Sequence, residues 1–282
     1  MSVAATSPAR RLLARYSLLA IGAGFLVVLV LAAVLAPLIA PYSPEQMFAR
    51  SRLAAPSAAH LFGTDHLGRD VLSRVLFGAR TSLYVATVSV AISLAIGVPI
   101  GIVAAYYKKI DNIVMRAIDV LFSFPPVLMA IFIVAVLGPG MLNAMIAIGI
   151  TYIPRFARVI RAQALIVVEM TYIRSAKSIG ASTPRILLRH VLPNVTSILI
   201  VQLSLNFSTA IIAESSLSFL GLGVQPPQPS WGAMLDQGRA VVELAPWVSI
   251  YPGLAIFLTV FAMNLVGDSL RDFLDPRLRG VI

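Results

Sequence analysis

The side chains that could do covalent or metal chemistry are few and far apart. The 282-residue chain has no cysteine, which excludes thiol catalysis and disulfides. His60, His66 and His190 are its only histidines and are too scattered for a metal site, so no metal is expected. No Ser/His/Asp or paired-carboxylate constellation falls within the long apolar stretches, which argues against an enzyme. No G-x-x-x-x-G-K-[ST] phosphate loop occurs, so any nucleotide hydrolysis must come from another chain. What remains is hydrogen-bonding chemistry. Gln202, Asn206 and Thr209 recur at i, i+4 and i+7 inside a charge-free stretch, on one face of a helix. Such amides and hydroxyls could line a wet, weakly selective path, or they could bond between helices for about 0.6–2 kcal/mol each. Both readings stand.

The elements that carry these residues follow from composition. Hydrophobic residues make up 59% of the chain and charged ones only 12%, about half the usual share of a soluble domain. Mean hydropathy is +0.90. So much apolar surface needs lipid, and a spanning helix needs about 20 apolar residues to cross a hydrocarbon core roughly 30 Å thick. Charge-free stretches place six spans at about 17–39, 82–107, 120–137, 141–159, 195–213 and 247–267. Gly138-Pro139-Gly140 divides the third from the fourth, and Pro125-Pro126 predicts a kink within the third. The uncharged run from Ser215 to Leu235 is rejected as a seventh span, because its prolines and glycines would leave backbone groups unsatisfied in lipid. The expectation is one all-α, multi-pass membrane domain over residues 1–282.

Charge then orients it. With the N-terminus inside, inner segments hold 16 of the 22 Lys and Arg residues, while the twelve acids divide evenly. The +10 net charge therefore lies on the cytoplasmic side, with both termini cytoplasmic. Because the cations sit between apolar blocks and form no contiguous face, nucleic acid is not an expected partner. The first apolar stretch is too long for a cleavable signal and is read as an anchor.

The longest inner loop, 160–194, carries the most information. Tyr172, Ile173, Ala176 and Ile179 recur at helical spacing, with Arg174, Lys177 and Ser178 opposite. Gly180-Ala181-Ser182 breaks the pattern. Thr183-Pro184 opens a second short helix, which Leu192-Pro193 closes before the fifth span. The stripe could rest on headgroups or meet a partner protein.

Gly180 followed by Leu192-Pro193 resembles the coupling loop of the membrane subunits of bacterial ABC importers. Where that loop begins Glu-Ala-Ala, this chain reads Arg174, Ser175 and Ala176, and His190 replaces a usual aliphatic residue. Three other segments are similar to the second (C-type) permease subunit of dipeptide and oligopeptide importers. They are Phe62 to Arg74 (FGTDHLGRDVLSR), Glu214 to Pro227 continuing through Pro229-Ser230-Trp231-Gly232, and the tail Asp272 to Arg279. The resemblance implies a type I ABC importer permease in the bacterial inner membrane, non-catalytic and without a cofactor of its own. ATP and Mg would sit on two ATPase subunits or one fused ATPase. A homologous permease would complete a heterodimer, and an extracytoplasmic binding protein would deliver cargo.

It further implies that Tyr172, Ile173, Ala176, Gly180, Ala181, Ser182, Leu192 and Pro193 form the ATPase-coupling loop. Gln202, Asn206 and Thr209 become candidates for the pore. Asp65, Arg69, Asp70, Glu214 and Trp231 become candidates for the outer face, although a self-satisfied loop accounts for the first three equally well. Glu214 is expected to pair with an outer-loop arginine such as Arg69 or Arg74, with simple solvation as the alternative. Di- and oligopeptides are the implied cargo, with nickel chelates, glutathione or other small solutes as alternatives. A channel or ion-coupled carrier ranks lower, because that chemistry needs acidic or histidine groups at mid-membrane, and all twelve acids fall at span ends or in loops.

Overall fold

The computed structural model describes residues 8–274. The tail from Asp275 to Arg279 lies outside the described residues, as do the side chains of Arg10, Arg11 and Arg15 that entered the orientation argument. Among the described residues the regular structure is helical, apart from an isolated bridge between Thr64 and Asp70. The main helices are α1 (Pro8–Val34), α2 (Val71–Tyr106), α3 (Lys108–Phe122), α4 (Pro126–Leu137), α5 (Met141–Val168), α6 (Thr171–Ser178), α7 (Thr183–Phe219), α8 (Trp231–Arg239) and α9 (Trp247–Leu274).

Four of these are long and apolar enough to cross a membrane: α1 over Ser17–Val34, α2, α7, and α9 over Trp247–Phe273. The pair α3 and α4 makes a fifth if the two are counted as one bent span. Their axes differ by 89° across Ser123–Pro125, so the expected kink is a near right-angle break. Proline explains it, because Pro125 and Pro126 lack the N–H groups that would continue the α3 ladder. With twelve residues, α4 is only about 18 Å long, too short to cross alone.

The α5 helix is not among the strongly apolar spans, and packing shows why it need not be. It packs along the second half of α2, and Ala147, Ile148, Phe156, Ala157 and Ile160 have no exposed surface. A helix sheathed by its neighbours meets little lipid. Close approach of α2 and α5 depends on Gly97 and Gly101, four residues apart on one face of α2. A Cβ on Gly97 would lie 2.7 Å from that of Phe156, and one on Gly101 2.6 Å from the Ala157 carbonyl. Two serines of α2 seal the same seam, as the Ser89 hydroxyl donates to the Met145 carbonyl (3.2 Å) and that of Ser93 to Gly149 (2.7 Å).

One expectation is corrected. The helix opened by Thr183-Pro184 does not close at Leu192-Pro193 but continues into the fifth span as the 37-residue α7. A wide turn over Leu187–Val191, in which the Leu192 N–H bonds the Leu187 carbonyl, shifts the ladder just ahead of Pro193. The widened turn absorbs the donor that proline lacks, so the chain passes without a break.

Candidate functional site

Polar and charged side chains gather at the two ends of the helix set. At one end, residues 40–70 fold into a cap over the start of α2. Asp65 (2% exposed) accepts from the backbone N–H of Leu67 and Arg69 (2.9 Å each) and from the Arg69 Nε (2.7 Å). Arg74 (1% exposed) points its Nε at the same carboxylate from 3.6 Å. Both arginines then donate to Gln237 Oε1 on α8, at 2.9 and 3.2 Å, which ties the cap to the far loop. Asp70 caps α2 through the Ser73 N–H and hydroxyl (2.8 Å each) and also meets His60 Nδ1 at 3.0 Å. Gly68 has φ +79, and a Cβ there would collide with the Phe48 carbonyl, so the turn between Asp65 and Arg69 requires glycine.

Asp65, Arg69 and Asp70 are therefore committed to the cap's interior, while Met47 and Leu61 are exposed on its rim. Trp231 is likewise buried, donating its Nε1–H to the Val75 carbonyl (3.1 Å), with Gly78 leaving room for the indole. Beside Asp65, burial lowers the pKa of His66 and keeps it neutral near pH 7.

Glu214 corrects a second expectation. Arg69 and Arg74 are engaged with Asp65 and Gln237, and Glu214, fully buried, is bonded by serines instead. Ser218 donates from 2.8 Å and Ser215 from 3.4 Å, and Ser82 of α2 and Ser230, the N-cap of α8, complete the ring. Three segments distant in sequence meet at this carboxyl. Ser215 and Ser218 lie within one helical turn of Glu214, but no short-range signal brings Ser82 or Ser230 to it.

Gln202, Asn206 and Thr209 share a face of α7 as expected, but in the isolated chain that face is largely enclosed. Gln202 is 8% exposed and Asn206 has no exposure. The Asn206 Nδ2 donates to the Gln202 carbonyl at 2.8 Å, whereas its Oδ1 is buried without a partner. Thr209 is half-buried and donates to the Asn206 carbonyl at 2.9 Å.

At the opposite, basic end, two ion pairs hold α3 against α5: Asp111 with Arg161, and Asp119 with Arg158 at 2.6 Å. Beyond α5 lies a short elbow, residues 169–182. Its helix α6 ends in a Schellman motif, in which the Ala181 N–H bonds the Ala176 carbonyl and the Gly180 N–H bonds that of Lys177 (3.0 Å each). Gly180 has φ +79, which is why glycine stands there. Ser182 then starts α7 as its N-cap residue, with Pro184 in the first turn.

The apolar stripe of the elbow is divided between two faces. Ile173 is fully buried against the helix set, together with Ile186 and Val191. Ala176, Ala181 and Leu192 are half-buried and Pro193 is exposed. Tyr172 (42% exposed) and Ile179 (85%) face outward, joined by Leu188 (66%), which periodicity within 172–179 could not include. The Tyr172 hydroxyl accepts from Asn194 Nδ2 at 3.1 Å, fixing the ring beside α7. The elbow is thus anchored from beneath and bare on top.

Most of this helical fold is shared with a solved structure. The fold matches that in inward-facing conformations of the MetNI methionine ABC transporter, with a TM-score of 0.59 at 17% identity, covering 72% of this chain and 96% of that one. The class is that of a type I ABC importer permease. Residues 97–280 match the family model for the binding-protein-dependent transport system inner membrane component, and residues 9–56 match the N-terminal TM domain of oligopeptide transport permease C. The chain belongs to this family: it is a non-catalytic inner-membrane permease subunit of an ABC importer. Among its relatives is a glutathione transport system permease protein of Pectobacterium atrosepticum, 49% identical over 92% of this chain and 87% of that protein. Another is a Brucella suis permease provisionally named for peptide transport, 47% identical over 96% and 91%.

Proposed function

We propose that this subunit forms half of the translocation path of an importer for short peptides, working by alternating access. It would cross the inner membrane six times as a single domain, counting α3 with α4 as one broken crossing and α5 as another, with both termini in the cytoplasm. A homologous permease would supply the other half. The oligopeptide permease model over residues 9–56 and the peptide-transport relative support this cargo. The strip of Gln202, Asn206 and Thr209, enclosed here, would join the path only in a state of the alternating cycle that opens that face, where amides and hydroxyls tolerate varied side chains better than fixed charge.

The observation that carries the mechanism is the elbow. Tyr172, Ile179 and Leu188 are exposed at the basic end of a chain that has no phosphate loop, so the energy source must grip it from outside. An ATPase subunit closing on nucleotide would pull on Ile179 and Tyr172. Ile173 and the continuous α7 would carry that movement into the path. The binding protein would dock on the rim of the cap.

Glutathione, itself a tripeptide, is a second cargo, favoured by the name of the Pectobacterium relative. Uptake by the reconstituted complex separates the two. A labelled dipeptide or tetrapeptide should accumulate with ATP, and a tenfold excess of glutathione should leave that uptake unchanged. Uptake of glutathione alone would replace the peptide reading with the second. In the same assay Gln202→Leu with Asn206→Leu should reduce uptake while the complex still assembles. Loss of assembly would make the strip a structural contact.

A further inference from the structure

Where α2 ends, α3 begins and α5 gives way to the elbow, the chain forms an open cleft of about 550 Å³. Its walls bring Lys108, Lys109, Arg174 and Lys177 around one carboxylate, that of Glu169. Glu169 is already claimed, because it accepts from Lys108 Nζ at 3.2 Å and from Arg174 Nη2 at 2.9 Å. Those two cations hold its carboxyl below the usual range. Lys177 Nζ lies 4.4 Å from the centre of the Tyr106 ring, and Lys109 has no ion pair among the described residues. The cleft is left with surplus positive charge and an apolar floor at Val168 and Ile110.

Its position narrows the ligand. Tyr106 is the last residue of the spanning α2, and Tyr107 packs edge-on against it with ring centres 5.1 Å apart. Tyrosines at the end of a span mark the level of the lipid headgroups. Lysines just beyond that level meet phosphates, and basic pockets between helices on the inner face bind anionic headgroups.

We propose that this cleft is a binding site for the headgroup of an anionic phospholipid. Lys108, Lys109 and Lys177 surround its phosphate, and Tyr106 and Tyr107 stand at the glycerol boundary. A headgroup there braces the root of the elbow, since Arg174 and Lys177 belong to α6. The proposal rests on reading this end as the inner membrane face.

The test uses the assembled transporter in nanodiscs of phosphatidylcholine with graded phosphatidylglycerol, with retained lipid counted by native mass spectrometry. The wild type should retain phosphatidylglycerol over phosphatidylcholine. K108Q/K109Q should lower that preference roughly tenfold or more, at the strength expected of each lysine near a membrane surface. Lys109→Gln alone, which leaves the Glu169 pair intact, should show a smaller drop in the same direction. Equal retention of both lipids by the wild type, or an unchanged preference in both variants, overturns the proposal. Displacement of phosphatidylglycerol by millimolar inorganic phosphate overturns the lipid as occupant in favour of a soluble anion. Loss of ATPase subunits from the variants with lipid retention unchanged assigns the cleft to the ATPase and also overturns it. Since the ATPase is counted in the same spectra, failure of the permease reading would show separately, as wild-type chain without an ATPase partner.

Discussion

The cap and the elbow are both polar segments at the ends of spanning helices, yet they are built in opposite ways. In the cap, buried charges are answered from within, with Asp65 by two arginines, Asp70 by its own helix start and His60, and both arginines again by Gln237. In the elbow, one isoleucine is buried and the other large apolar groups stay bare, while Lys108, Glu169 and Arg174 form exposed pairs. Exposed pairs of this kind contribute little to stability. A segment that satisfies itself can stay rigid whether or not a partner is present, whereas a segment with an unused apolar face is finished only by another surface. In the proposed orientation, the rigid part would face the side on which cargo arrives, and the unfinished part the side on which energy is supplied.

The comparison can be broken most forcefully in the cap. Arg74→Ala should destabilise the detergent-solubilised protein by about 3–5 kcal/mol, because it strips a buried network of one cation and leaves Gln237 half-satisfied. A thermal-shift assay should show a large fall in Tm, and an unchanged midpoint would mean that the cap is not held by this network.

The elbow should respond in the opposite sense. Ile179→Asp changes a residue that is 85% exposed, so stability should move by no more than about 0.5 kcal/mol. Retention of ATPase subunits on co-purification should nonetheless fall roughly tenfold or more, as for a residue central to an interface. An equal effect of both substitutions on stability would erase the distinction between the two regions.

The smallest effect concerns pH. His66 has a folded-state pKa below 6.5 because burial disfavours its charged form. At pH values between the two constants the unfolded chain binds the extra proton, so stability is full above 6.5 and declines as pH falls below it. Hydrogen exchange over residues 62–70 should therefore be faster at pH 5.5 than at 7.5 after correction for intrinsic rates. His66→Asn should flatten that difference, and a difference that survives the substitution would assign it to other groups.

Local signals account for much of this architecture. The breaks at Pro125-Pro126, Gly138-Pro139-Gly140 and Gly180 are legible because each depends on the residue's own backbone, a missing donor or a positive φ. The elbow's helix and the polar face of α7 follow from spacing alone. The signal for α2–α5 packing was also present in Gly97-x-x-x-Gly101, although spacing does not say which helix the glycines meet. The Leu192-Pro193 end misled because proline predicts a stop, and a single widened turn removed the need for one.

By itself, then, the amino-acid order determined that the chain lives in lipid as a set of helices, where most of those helices break, and that no phosphate loop is carried. These properties depend on composition and on contacts a few residues apart. Only the tertiary structure decided that Glu214 answers to serines, that Asp65, Arg69 and Trp231 face inward, and that Ile179 and Leu188 share an open surface. The first two outcomes join segments more than a hundred residues apart, and the third depends on how two residues nine apart in sequence are set against the bundle. Burial is a property of the assembled packing that no single segment contains.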